Sequence, residues 1–173
     1  MKLKIELNGE RLKLQHMKDS DISLQFIGWL KDPEINKFLE VRHSPPDLER
    51  QIAYLHECDA SADKLYLGVF LNDSRLIGST TLTVHSFTKV EIGLMIGDKS
   101  SHGKGYGSEV VRIATHWAKK AGFSELTAGY MKENKASAKL FSKLGFRETP
   151  IISEGSIVRE ENRVVRTSLL LKN

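Results

Sequence analysis

The stretch Gly97-Asp98-Lys99-Ser100-Ser101-His102-Gly103-Lys104-Gly105-Tyr106-Gly107 constrains this chain more than any other. The residues before it, Val90 to Ile96, read strongly as a strand. After it, Val110, Ala114, Trp117, Ala118 and Ala121 recur at helical spacing, and Gly122 closes the helix. Three glycines within five residues thus stand between a strand and a helix. Glycine accepts positive φ and lets the backbone approach a ligand closely. Amides that point outward ahead of a helix N-terminus make a nest for a phosphate group. The competing reading is a flexible surface turn. The spacing G-x-G-x-G is neither that of a P-loop nor that of a dinucleotide fingerprint.

The flanks extend this unit. Arg11 to His16 alternates with period two and predicts a strand. Asp19 or Ser20 is expected to cap a helix carrying Ile22, Leu24, Phe26, Ile27, Trp29 and Leu30. Asp32-Pro33 opens a second helical stretch reaching Phe38 and Leu39, with proline in the first turn. The break Ser44-Pro45-Pro46-Asp47 precedes a capped helix with Leu48, Ile52, Leu55 and Cys58 on one stripe. Strands are expected over Tyr66–Leu71 and Leu76–Val84, joined by the turn Asn72-Asp73-Ser74. Further strands are expected over Glu125–Met131, Phe146–Ile152 and Val164–Leu171. Between the first two, Asn134 caps a helix with Ser137, Leu140, Phe141 and Leu144 inward and Gly145 as its stop. The fold class is α/β (α+β) with a mixed sheet, and 173 residues suit one domain spanning 1–173.

Composition excludes several functions. No run of 18 apolar residues is present, and Met1 to Glu6 alternates without the apolar core of a secretory signal. With Cys58 alone, an internal disulfide or a cysteine metal cluster is impossible. The net charge is +4 with no block of five or more like charges, so no nucleic-acid patch is expected. A cytoplasmic protein without a metal or a membrane partner is the simplest expectation.

Three motifs in order carry a family likeness. Val90-Glu91-Ile92-Gly93-Leu94-Met95-Ile96-Gly97, then the glycine loop, then Asn134-Lys135-Ala136-Ser137 leading to Lys143-Leu144-Gly145-Phe146, resemble the GCN5-related N-acetyltransferases (GNAT). The likeness is nearest to the ribosomal-protein (Rim-type) branch and covers residues 75–148 best. It implies a central twisted mixed sheet, flanked by helices and splayed between two parallel strands, with acetyl-CoA in the opening. By the same resemblance, backbone groups of Met95, Ile96 and Gly97 pair with the pantetheine arm. Amides from Gly103 through Lys104, Gly105 and Tyr106 to Gly107 would hold the pyrophosphate. The side chain of Asn134 would touch the pantetheine as well as cap its helix.

Acetyl transfer to an amine needs a proton acceptor, since a lysine-like amine has a pKa of about 10.4. It also needs a donor for the oxyanion and one for the departing thiolate. Glu91 stands at the family's strand position for the base, sharing a strand face with Gly93 and Met95. A surface or structural carboxylate is the alternative. The Met95 amide is the oxyanion candidate. The wider family places a tyrosine acid where this chain has Phe141, and the Rim-type branch implies Ser137 instead. For Ser137 the alternative is a bond back to a helix carbonyl. His102 replaces the family's usual Arg or Gln, and either meets a phosphate or faces solvent, as does Lys104. Trp29, Trp117 and Phe123 read as core. His85 either lines an acceptor pocket or is structural. Glu40, Arg42 and His43 precede the Pro-Pro break near the acceptor mouth. The implied activity is direct transfer in a ternary complex to a small-molecule or peptide amine: a protein N-terminus, polyamine, amino acid, drug or nucleotide-linked amino sugar. A homodimer is implied by resemblance alone. The rivals are a non-catalytic acyl-CoA sensor and a module for another phosphate ligand.

Overall fold

A computed structural model of the chain describes residues 5–39, 46–149 and 164–171. Glu40, Arg42, His43 and the end of the strand expected through Ile152 lie outside these residues. The strands are β1 (Glu6–Asn8), β2 (Leu12–His16), β3 (Lys64–Leu71), β4 (Leu76–Val84), β5 (Lys89–Ile96), β6 (Glu125–Met131), β7 (Arg147–Glu148) and β8 (Val164–Leu170). The helices are α1 (Leu24–Lys31), α2 (Pro33–Asn36), α3 (Leu48–Ala60), α4 (Tyr106–Lys120) and α5 (Lys135–Lys143). All eight strands form one sheet in the order β1-β2-β3-β4-β5-β6-β8-β7.

The sheet is mixed, as expected, with a single parallel pairing among the described residues, β5 against β6. That pairing runs from Lys89↔Glu125 to Ile92↔Ala128 and stops. Beyond it, β5 keeps to β4 as far as Gly78↔Ile96, while β6 keeps to β8 as far as Met131↔Val164. The two parallel strands therefore part at Ile92, and the sheet opens there.

Strand alternation puts two apolar clusters on opposite faces. One contains Val90 and Ile92 with Val110, Ala114 and Ala118 of α4 and Phe141 of α5. The other contains Met95 with Phe26, Ile27 and Leu30 of α1 and Leu55 and Cys58 of α3. Of the α3 stripe, Leu55 and Cys58 are buried, while Leu48 is exposed.

One local expectation is corrected. The first helix is not capped by Asp19 or Ser20, which lie in a short 3-10 turn. Ser23 caps it, its hydroxyl accepting from the Phe26 N–H at 3.2 Å. Ile22 is buried ahead of this cap, so the apolar run continues through a non-helical turn. The edge strand β1 went unread, since three residues are too few to display a period.

Candidate active site

The opening of the sheet is a cleft of about 790 Å³. Leu94, Met95 and Ile96 border it from β5, His102 to Gly107 (Lys104 excepted) from the glycine loop, and Asn134 to Leu140 (Ala138 excepted) from the start of α5. Residues Glu34 to Leu39 (Asn36 excepted) of α2 and its exit border it as well. Gly103 and Gly105 have φ of +73° and +81°, a conformation other residues adopt only with strain. Gly105 is the N-cap of α4, so the loop ends where the helix offers its first free amides. Residues 11–147 match the family model described as an acetyltransferase (GNAT) domain. The chain belongs to the GNAT family.

Two curated relatives and a solved structure resemble this GNAT chain. An uncharacterised protein of Methanocaldococcus jannaschii is 27% identical over 152 residues, 88% of this chain and 31% of its own length. The uncharacterised N-acetyltransferase YobR of Bacillus subtilis is 26% identical over 122 residues, covering 68% of this chain and 48% of YobR. The chain thus spans about a third and about half of the curated relatives it matches. In fold, RimL, a ribosomal L7/L12 alpha-N-protein acetyltransferase solved with coenzyme A, superposes with a TM-score of 0.79. It shares 14% identity, over 96% of this chain and 98% of its own.

Most of the residues singled out from sequence meet at the cleft of this GNAT domain. Met95, Ile96, His102, Gly103, Gly105, Tyr106, Gly107, Asn134 and Ser137 all border it. Gly97 and Lys104 do not. The Gly97 N–H donates to the Ile77 carbonyl at 2.9 Å. Its missing side chain is explained by Trp29, because a Cβ there would lie 2.3 Å from the indole. Trp29 therefore rests on the end of β5 and anchors the α1–α2 wall. Lys99 reinforces the same junction, reaching Asp32 at 2.7 Å and Glu34 at 2.5 Å. His102 ties the start of the loop to β5, its Nε2 lying 2.8 Å from the Ile96 carbonyl oxygen. That nitrogen is thus engaged within the protein.

At α5, the Asn134 side-chain oxygen accepts from the Ser137 N–H at 3.0 Å and caps the helix. The Ser137 hydroxyl makes no bond back to a carbonyl among the described residues. Thr115 on α4 does make such a bond, to the Val111 carbonyl at 2.7 Å. Ser137 thus presents an uncommitted hydroxyl at the cleft. Phe141 points the other way. It is buried, stacked on Tyr130 at 6.0 Å and tilted against Phe146 at 5.0 Å. It is a core residue and does not border the cleft.

Glu91 does not border the cleft either. It shares the α1–α3 face with Met95, standing opposite Thr83 on one side and Thr127 on the other. Both carboxylate oxygens are held: Oε2 lies 2.9 Å from His85 Nε2, and Oε1 accepts from Arg166 at 3.1 Å. Arg166 comes from β8, so this ion pair crosses the line where the sheet divides. His85 thus lies beside the candidate base.

The pair the sequence reading missed is Arg11–Glu109. Glu109 lies on the first turn of α4 and is buried. It accepts from the Arg11 N–H at 2.7 Å, from Arg11 Nε at 2.8 Å and from the Leu12 N–H at 3.3 Å. The same guanidinium donates to the Lys104 carbonyl at 2.9 Å and lies 4.7 Å from the centre of the Tyr106 ring. Arg11 therefore holds the glycine loop from behind. Burial pushes the Glu109 carboxyl up, but the Arg11 amide, its guanidinium and the Leu12 amide outweigh this and hold it below the usual range. A carboxyl lowered in the folded state stabilises above its unfolded value, about 4.3, and this contribution is lost as pH falls through the folded value. Glu109→Gln is expected to cost about 2–3 kcal/mol at neutral pH. The deficit relative to the parent should shrink below about pH 4, as the parent's carboxyl protonates. Urea denaturation at pH 7 and at low pH checks this, and a deficit independent of pH would refute it.

Proposed function

We propose that this chain is an acetyl-CoA-dependent N-acetyltransferase that moves an acetyl group directly to a primary amine within a ternary complex. One observation carries the reading: the parallel strands part where the glycine loop and the Asn134 turn meet the same cleft. The opening suits an extended thioester arm beside β5, with its pyrophosphate over the amides of Gly103 to Gly107. In this reading Asn134 orients the pantetheine and the Met95 amide receives the developing oxyanion. The Ser137 hydroxyl, free of any helix carbonyl, donates to the departing thiolate. The acceptor is a small-molecule or peptide amine, and no step calls on a metal. A thiol-release assay over a broad amine panel tests the activity. Binding of acetyl-CoA without release for any amine would favour a non-catalytic acyl-CoA sensor. Phe141 lends that sensor no support, because its ring belongs to the core and takes no catalytic position.

Glu91 is the proposed base, acting through water because it stands outside the cleft proper. His85 and Arg166 fix its carboxylate, and His85 offers the proton a route to solvent. Glu91→Gln is expected to lower turnover about 100-fold at neutral pH with little change in acetyl-CoA affinity. The defect should narrow as pH rises, since the free amine then needs no base. A pH–rate profile parallel to that of the parent would move the role elsewhere.

A further inference from the structure

We infer that Arg166 reads a carboxylate on the acceptor, so that the acceptor is a small molecule carrying a carboxylate beside its amine, as an α-amino acid does. This rests on the N-acetyltransferase reading above and narrows its substrate class. One step beyond the last pair of the β5–β6 ladder, Ile92↔Ala128, stand Gly93 on β5 and Gly129 on β6. Alternation turns both toward the α1–α3 face, next to Glu91 and Thr127. Both glycines are exposed. The layer of side chains is therefore missing where the strands begin to part, which leaves a bare floor beside Glu91. Its rim consists of polar groups. A Cβ on Gly93 would lie 2.7 Å from Thr81 Oγ1, and one on Gly129 would lie 2.9 Å from Arg166 Nη1.

The charges around this floor select the acceptor. Both carboxylates that β5 and β6 turn to this face are already paired: Glu91 with His85 and Arg166, and Glu125 with Lys89 at 3.0 Å. A second ammonium on the acceptor, as in a polyamine, therefore meets no unpaired carboxylate on these two strands. Arg166 offers the opposite. Its guanidinium is a fork of N–H donors, of which Nη1 is committed to Glu91 at 3.1 Å. Nε and Nη2 have no partner among the described residues, and the side chain is 54% exposed. The unused edge is planar and cationic, the geometry that takes a carboxylate bidentately. Because the same guanidinium touches Glu91, an acceptor anchored on it has its amine close to the proposed base. That short reach fits an amine and a carboxylate on the same carbon or on neighbouring carbons.

Thiol release from acetyl-CoA by the whole chain tests this. The acceptors are free L-α-amino acids, their carboxamides, spermidine, glucosamine and a short peptide with a free N-terminus and an amidated C-terminus. The parent is expected to favour at least one amino acid over its carboxamide about 100-fold in kcat/KM. Arg166→Gln should bring that ratio within about threefold, chiefly by raising KM for the free acid, with acetyl-CoA affinity unchanged. Any disturbance of Glu91 by this substitution slows acid and carboxamide alike, so the ratio isolates the acceptor contact. Arg166→Lys keeps the charge and loses the fork, and its ratio should fall between the two. A parent ratio near one, turnover confined to spermidine, glucosamine or the peptide, or a ratio retained in Arg166→Gln overturns the inference and leaves the acetyltransferase reading standing. If no amine at all is acetylated, that reading falls and the inference with it.

Discussion

Gly105→Val is expected to weaken acetyl-CoA binding on the order of 100-fold or more while the chain remains folded. The physical reason is local. Gly105 holds φ at +81° as the N-cap of α4, and a β-branched residue is strained there. Its Cβ would meet only Arg11 Nη2, at 3.6 Å, an ordinary contact. The core therefore has little reason to object. What changes is the aim of the loop amides and the space directly above them. Calorimetry with acetyl-CoA reads the loss, and a thermal melt by circular dichroism confirms folding. Undiminished affinity in a folded variant would remove the loop from the cofactor site.

Ser137→Ala is the second large effect. Turnover should fall about 100-fold, with the acetyl-CoA dissociation constant within about twofold of the parent. The helix is insulated from this change. Its cap uses the Asn134 side chain and the Ser137 backbone N–H, and alanine keeps both. A loss of rate without a loss of stability would thus mark a group that acts in the transition state. Phe141→Tyr added to this background should restore nothing, because that ring lies against Tyr130 and Phe146. Full activity in Ser137→Ala would end the proposal for Ser137 and leave a bound water as the donor.

The sequence was most legible where chemistry and geometry are local. A strand, a glycine loop with positive φ and an amphipathic helix announce themselves within thirty or so residues, as do the Asn134 cap and the Gly145 stop. The limits of β4 and β6 followed from period and turn residues. What stayed hidden depends on residues far apart in the chain. Arg11 reaches Glu109 across 98 positions, and nothing in either neighbourhood signals the other. That Gly97 must lack a side chain for an indole of α1 could not be read from its neighbourhood. Phe141 looked like a lost acid because its spacing matched a family pattern, yet the helix turns it into the core. A buried acid at a helix N-terminus, such as Glu109, was the one available hint, since burial of a carboxylate demands a partner.

The short ladder between β5 and β6 has a consequence for how the domain behaves as a mechanical object. The backbone pairs from Lys89↔Glu125 to Ile92↔Ala128 stitch the β1–β5 meander to the β6–β8–β7 leaf, with the Lys89–Glu125 and Arg166–Glu91 ion pairs beside them. The β1–β5 meander pairs neighbours in sequence order, and the seam joins strands linked by the α4 crossover. The seam is four paired positions long, between ladders of seven pairs on either side. A ligand in the cleft beyond the seam touches β5 on one side and the start of α5, which follows β6, on the other, and so acts as a splint across the opening.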